Sequence, residues 1–308
     1  GAGGGSRGPS RWTATLLVVV SATCFGSIST LTVVAMRDGG PALAPLLFWR
    51  YLLAGVLFLP LARRTVGAAR ALPAGGRALR VTLLAGLGQT AVAGLSLSAL
   101  RWIPAATLGF LFYTFPAWVM LFAVLRGTER VDARRVLALA LSLGGIVLTV
   151  GAPTGGAGGA AAWPGVALAL AAALAYALYI PYLGRLQGDT SPELASTFVC
   201  LGTSLYFGAW TLASGAMGIA YPAHAWTAIA LLAVVCTVVA FQSFLRGLGG
   251  LGPVRTAIVS TVEPFWTAVL GAVVLAQPLA PATLAGGALI AAAVLLLQLA
   301  PRSAAQPA

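Results

Sequence analysis

Charge is scarce in this chain. Of its 308 residues 8% are charged, and there is no lysine, only six acids and a single histidine, His224, beside eighteen arginines. Soluble domains carry about 25% charged residues. With 59% hydrophobic residues and a mean hydropathy of +0.96, the apolar surface cannot be hidden in one water-soluble core. The three cysteines, Cys24, Cys200 and Cys236, all fall within apolar runs without paired spacing, which argues against a disulfide framework or a metal site. They read as buried small hydrophobes. No Ser/His/Asp set and no phosphate-binding glycine loop is present, so an intramembrane enzyme is the least supported class and no cofactor is called for. A net charge of +12 would suggest nucleic acid in a soluble protein. Here the arginines sit between apolar runs, where charge sorting across a bilayer accounts for them, and nucleic acid is not an expected partner.

What the chain does have is long apolar runs. Stretches able to cross a hydrocarbon layer about 30 Å thick occur at 12–36, 43–62, 79–100, 104–125, 132–150, 164–183, 193–214, 225–245, 254–276 and 281–300, predicting an all-α integral membrane fold of ten spans. The breaks are short and rich in Pro, Gly and Arg, and Trp12, Trp102, Trp163, Trp210, Tyr221 and Trp226 lie near span ends as interfacial anchors. Residues 1–11 read as a flexible tail. The run after them is longer than a signal peptide core, so it is expected to be retained as a helix.

Counting arginines loop by loop gives orientation. Fifteen of the eighteen fall on one side, Arg37 and Arg101 on the other, and Arg50 inside a span, which places both termini in the cytoplasm. The chain also repeats itself. Pro116-Ala117-Trp118 matches Pro264-Phe265-Trp266 at an offset of 148, and Glu129 matches Gln277. Five spans is an odd number, so the second copy must enter the membrane upside down, and equivalent loops should differ in charge. They do, because Arg126–Arg135 carries four arginines and Val274–Thr283 none. Two inverted five-helix repeats are expected, 12–150 and 163–300, joined by a Gly/Ala linker at 151–162, with a short cytoplasmic tail at 301–308.

The segments Phe48-Trp49-Arg50-Tyr51, Ala99-Leu100-Arg101-Trp102-Ile103-Pro104, Pro116, Gly127-Thr128-Glu129-Arg130 and Gly144-Gly145, followed by Val262-Glu263-Pro264-Phe265-Trp266 and Gly286-Gly287, resemble the EamA family of the drug/metabolite transporter superfamily. The resemblance covers both halves. It implies a ten-helix secondary carrier with a central cavity, peripheral fifth and tenth helices, and export of metabolites or amino acids. Gln277 stands where that family often has a second loop glutamate.

The candidate chemistry centres on Glu263, since a carboxylate at the centre of a membrane helix costs about 2.5–3.5 kcal/mol and should face protein or water. Pro264 beside it lacks an N–H for the carbonyl of Ser260, so a kink and a freed carbonyl fall at the same place. Arg50 reaches similar depth from the other side. Two readings stay open: a structural ion pair between Arg50 and Glu263, or a site in which Arg50 takes a substrate carboxylate while Glu263 takes an ammonium group or a coupling proton. Gln89, Tyr113 and Thr114 are candidate hydrogen-bonding wall residues, and Phe25, Tyr176, Tyr179, Phe265 and Trp266 candidate stacking surfaces. Pro116 and Pro264 are candidate hinges. Small residues at Thr283, Gly287 and Ala291 form a close-packing stripe that would also serve a homodimer.

The expectation is therefore an inner-membrane secondary-active transporter that exports small metabolites, amino acids among them, by alternating access, with a small-molecule substrate and membrane lipid as partners. The rival reading is a non-transporting scaffold or lipid-handling subunit, in which Arg50 and Glu263 pair and no cavity exists.

Overall fold

The computed structural model of the chain describes residues 10–65, 75–127, 132–151, 162–187 and 191–298. Among them all regular structure is helical, without a strand. The tail before Ser10, most of the Gly/Ala linker, Glu129 and Arg130, and the tail at 301–308 lie outside the described residues.

Among the described residues nine helices are long and apolar enough to cross a bilayer. They are α1 (Arg11–Met36), α2 (Leu43–Arg63), α3 (Ala78–Arg101), α4 (Ala105–Leu125), α5 (Ala133–Val150), α6 (Trp163–Leu186), α8 (Ala223–Leu251), α9 (Ile258–Leu275) and α10 (Pro281–Gln298). Between α6 and α8 lies α7 (Pro192–Ala213), whose 22 residues would extend about 33 Å at 1.5 Å per residue. It carries Glu193 and several Ser and Thr residues and is not among the nine. The bounds follow the sequence reading closely except at α8. That helix runs on through Arg246 to Leu251, because nothing breaks it before Gly252, at φ 76, and Pro253. Arg246 is thus helical and exposed rather than in a loop, and its long side chain can reach for the headgroups.

Apolar side chains on the outside, such as Leu16, Leu125, Val147 and Val273, remain exposed for lipid to cover. Many hydroxyls within the helices are satisfied locally: Thr23, Thr82, Thr90, Ser96, Thr203 and Thr211 each donate to the carbonyl four residues back. Without water to bond them, that is how hydroxyls survive at this depth.

Several helices are irregular. π-helical turns interrupt α3 at Val81–Ala85 and α8 at Val234–Val239. A turn at Tyr113–Thr114 breaks α4, and one at Thr261 separates the helix Pro253–Ser260, whose last residues open α9, from Val262–Leu275. In both α4 and α9 the proline, Pro116 or Pro264, follows just after the break and sits in the first turn of the next helix. A third interruption, at Ser27 in α1, has no proline near it.

Helices far apart in the chain pack closely, and glycine permits it. A Cβ on Gly55 would fall 2.8 Å from Leu201, and one on Gly208 would fall 3.0 Å from Phe48, so α2 and α7 run antiparallel. Likewise Gly145 lies against Ile290 and Thr149 against Gly286, which makes α5 and α10 antiparallel. For α4 and α9, Ala105 meets Gln277 while Tyr113 meets Ser260, again antiparallel. α1 packs on α8 and α9, and α6 packs on α3 and α4. The stripe Thr283, Gly287 and Ala291 is buried within the chain, with Gly287 against the Phe110 ring, so that face is not available for a dimer.

The α5–α10 contact makes a paired prediction. Gly145→Ala places a methyl 2.6 Å from the Gly286 carbonyl and should cost about 1–3 kcal/mol by forcing backbones apart. Gly144→Ala, whose nearest neighbour is Leu289 at 3.9 Å, should leave stability unchanged or raise it. Thermal unfolding of the two variants in the same detergent checks this.

Candidate functional site

The two proline breaks face each other, and the sequence at each explains the chemistry between them. Pro264 leaves the Ser260 carbonyl without its helical donor. The Tyr113 hydroxyl, coming from the break in α4, donates to that carbonyl at 2.6 Å. It also lies 3.3 Å from Glu263 Oε2, longer than a good O–H···O bond. Thr114 donates to Leu111 O at 2.7 Å and accepts from Trp118 Nε1 at 3.2 Å, securing the first break. α1 comes in tightly at the same level: Thr267 donates to Gly26 O at 2.9 Å, and a Cβ on Gly26 would fall 2.7 Å from the Glu263 carbonyl.

Beside these breaks lies a cavity of ≈ 530 Å³ walled by helices from both halves of the chain. Arg50, Glu263, Gln89, Tyr113, Phe25 and Tyr176 all line it, together with Pro116 and Pro264. Trp266 does not; its indole turns to α1 and donates to Ser27 Oγ at 3.3 Å. The region around Glu263 is aromatic. Tyr176 packs with Phe112 at 5.3 Å and Phe115 at 4.9 Å between ring centroids, and Tyr113 with Phe115 at 5.9 Å. A carboxylate among ring faces suits a cationic group.

At the other end, Arg50 is 4% exposed. Its Nε donates to Thr237 Oγ1 at 3.4 Å, and its guanidinium carbon lies 5.1 Å from the centre of the Tyr51 ring. Thr237 can accept because its own proton goes to Leu232 O, a partner five residues back that the π turn of α8 brings into place. Gln89 donates to the Tyr51 hydroxyl at 3.0 Å. Arg50 and Glu263 form no ion pair with each other; each faces the shared cavity instead. Among the described residues no cluster of His, Cys, Asp and Glu could hold a metal ion.

Sequence reasoning missed Tyr51, Thr237 and the π turns. Tyr51 was in view as part of Phe48-Trp49-Arg50-Tyr51, but nothing in its spacing says that its hydroxyl meets Gln89 from another helix. Gln277, noted only as a replacement for glutamate, plays a structural part, because its Oε1 accepts from Ala105 N at 2.9 Å and so caps α4. The turn that aims it has Ala276 at φ 53, and Gln277 N bonds back to Gly271 O at 3.1 Å.

Broken apolar helices around a mostly apolar cavity that one arginine and one glutamate line define a multi-pass membrane protein of the transporter type. The sequence matches the EamA-like transporter family twice, at residues 12–151 and 163–299, and the chain belongs to that family, within the drug/metabolite transporter superfamily. No curated protein matches the sequence. Among solved structures 19 chains match. One of them, a crystal structure 19% identical, aligns over 93% of this chain and 96% of its own with a TM-score of 0.63, which speaks to the fold alone.

Tyr113→Phe removes the side-chain donor to the freed Ser260 carbonyl and should destabilise the protein by about 1–3 kcal/mol. Tyr182→Phe, at a 43% exposed position, should be neutral when both are unfolded thermally side by side.

Proposed function

We propose that the protein is a secondary-active carrier that exports small metabolites, amino acids among them, by alternating access. The observation that carries this is the cation and the carboxylate of the cavity wall, Arg50 and Glu263, left unpaired with each other across a space of ≈ 530 Å³. A scaffold would gain nothing from holding an arginine and a glutamate apart at this depth, whereas a substrate with both charges gives each a partner. Arg50 takes the anionic end. Glu263 takes the cationic end or a coupling proton, Gln89 and Tyr113 add hydrogen bonds, and Phe25 and Tyr176 supply apolar wall.

On this reading α7 is the tenth span, and 12–150 and 163–300 are inverted repeats. Three features support it: α2 with α7, α4 with α9 and α5 with α10 each run antiparallel. The breaks at Tyr113–Thr114 and Thr261 stand 148 residues apart, the offset of the sequence repeat. The α1–α8 contact also exchanges with the α6–α3 contact when the halves are swapped. Pro116 and Pro264, at facing breaks, are then the hinges about which the halves rock.

In this reading the protein sits in the cytoplasmic (inner) membrane, and the arginine count supports an orientation with both termini inside. In that orientation three hydrogen bonds join the halves at the outer face: Trp49 Nε1 to Gly218 O at 3.4 Å, His224 Nε2 with Arg37 O at 3.1 Å, and Ala105 N to Gln277 Oε1. The cavity wall meanwhile reaches Phe58, Leu183, Ser196, Phe244 and Gln298, near the opposite ends of their helices. This is an inward-facing conformation.

Two measurements test the proposal. Counterflow in proteoliposomes against an amino-acid and metabolite panel should show uptake by the wild type and at least an about tenfold loss in Glu263→Gln and Arg50→Ala. Normal transport by both folded variants would refute the site. A cysteine placed at Ser196 in a background lacking Cys24, Cys200 and Cys236 should react with an impermeant maleimide in inside-out vesicles and be protected in right-side-out ones; the reverse pattern would overturn the orientation.

A further inference from the structure

Among the described residues that line the cavity, one hydroxyl is both fully buried and without a hydrogen-bond partner. Tyr179 on α6 is 6% exposed and lines the cavity, yet among the described residues its hydroxyl makes no hydrogen bond. Its ring is held there by Gly88, where a methyl would collide with the ring carbons. Gly88, against the Tyr179 ring, directly precedes Gln89, which donates to the Tyr51 hydroxyl, and both tyrosines line the same cavity. Tyr51 accepts from Gln89, so its own proton is free to be given away. Arg50, over the Tyr51 ring, spends only Nε on the described residues and has its remaining N–H groups to offer. A guanidinium and two phenols, from α2 and α6, are therefore donors in search of acceptors. A buried donor left without an acceptor is a standing penalty that a ligand oxygen relieves.

We propose that Arg50, Tyr51 and Tyr179 form a seat for one carboxylate of the transported molecule, with Tyr179 the residue that distinguishes an acid from the matching amine. The proposal rests on the carrier reading above and narrows its substrate class. The seat holds a single positive charge, and among the described residues of the cavity wall Arg50 is the only cation and Glu263 the only carboxylate. A monoanionic carboxylate with a cationic amine at the Glu263 end balances that pair charge for charge. A phosphate monoester, carrying between one and two negative charges near neutral pH, would leave negative charge uncompensated beside Glu263. Small zwitterions fit; phosphorylated sugars and nucleotides do not.

The test is equilibrium binding to the purified full-length protein in nanodiscs, by calorimetry. The protein amino acids are compared with the corresponding decarboxylated amines and with glucose 6-phosphate. The expected result is that at least one amino acid binds, about tenfold or more tighter than its amine, and that Tyr179→Phe removes most of that difference while leaving the amine unchanged. Gly88→Ala, which displaces the ring, should do the same, and unaltered thermal unfolding of Tyr179→Phe verifies the fold. Equal weakening of acid and amine, no effect of Tyr179→Phe, no amino acid bound, or glucose 6-phosphate bound as well as the best amino acid would each overturn the seat. Binding is read without transport, so a seat that binds as described in a protein showing no counterflow would refute the carrier and leave the seat standing.

Discussion

Everything at the centre of this protein depends on how one backbone carbonyl is satisfied. In a membrane each main-chain N–H and C=O must find a partner within the protein. Pro264 denies Ser260 its helical donor, and Tyr113 from the other half supplies a replacement. That bond lets α9 be broken at mid-membrane without an orphaned group. The break in turn aims Glu263 into the cavity rather than along a helix face toward lipid. Gly26 and Thr267 bring α1 against the same junction, so three helices share one joint.

The two ends of the cavity are built by different means. Around Glu263 the wall is aromatic, and the Tyr113 hydroxyl is already engaged with Ser260 O and Glu263. Around Arg50 the wall is polar but underspent, with donors outnumbering acceptors. Such asymmetry between repeats of one ancestral unit is informative. Phe115 stands in the first half where Glu263 stands in the second, at the offset of the repeat. The shared scaffold supplies the break, and the substitution at that position supplies the charge.

Much of the architecture was legible because membranes impose a strong grammar. Apolar runs of about twenty residues, arginines in loops and prolines at repeated positions located the helices to within a few residues. The overrun at α8 came from Gly-rich sequence that reads as a loop but keeps helical geometry until Gly252. Arg50 and Glu263 stood out because charge at that depth is costly. Whether they paired was not legible, since depth along two helices leaves their facing directions open. Tyr51 and Thr237, and the hydroxyl of Tyr179, whose ring alone was a stacking candidate, were hidden for the same reason: a tyrosine or threonine in an apolar helix reads alike whether its hydroxyl meets a partner, a cavity or nothing. The burial of Thr283, Gly287 and Ala291 shows the converse, that a small-residue stripe announces close packing but not with whom.

The composition of α7 bears on how the chain is made as well as on how it is held. Eleven of its 22 residues are buried, and among them are Thr197, Thr203, Ser204 and Thr211. Side chains matched to neighbouring helices rather than to acyl chains give a segment little reason to leave the insertion machinery alone. On the ten-span reading proposed above, its entry into the bilayer is assisted by α2, already in place and presenting Phe48 and Gly55 to it, so that biogenesis of the second half leans on the first.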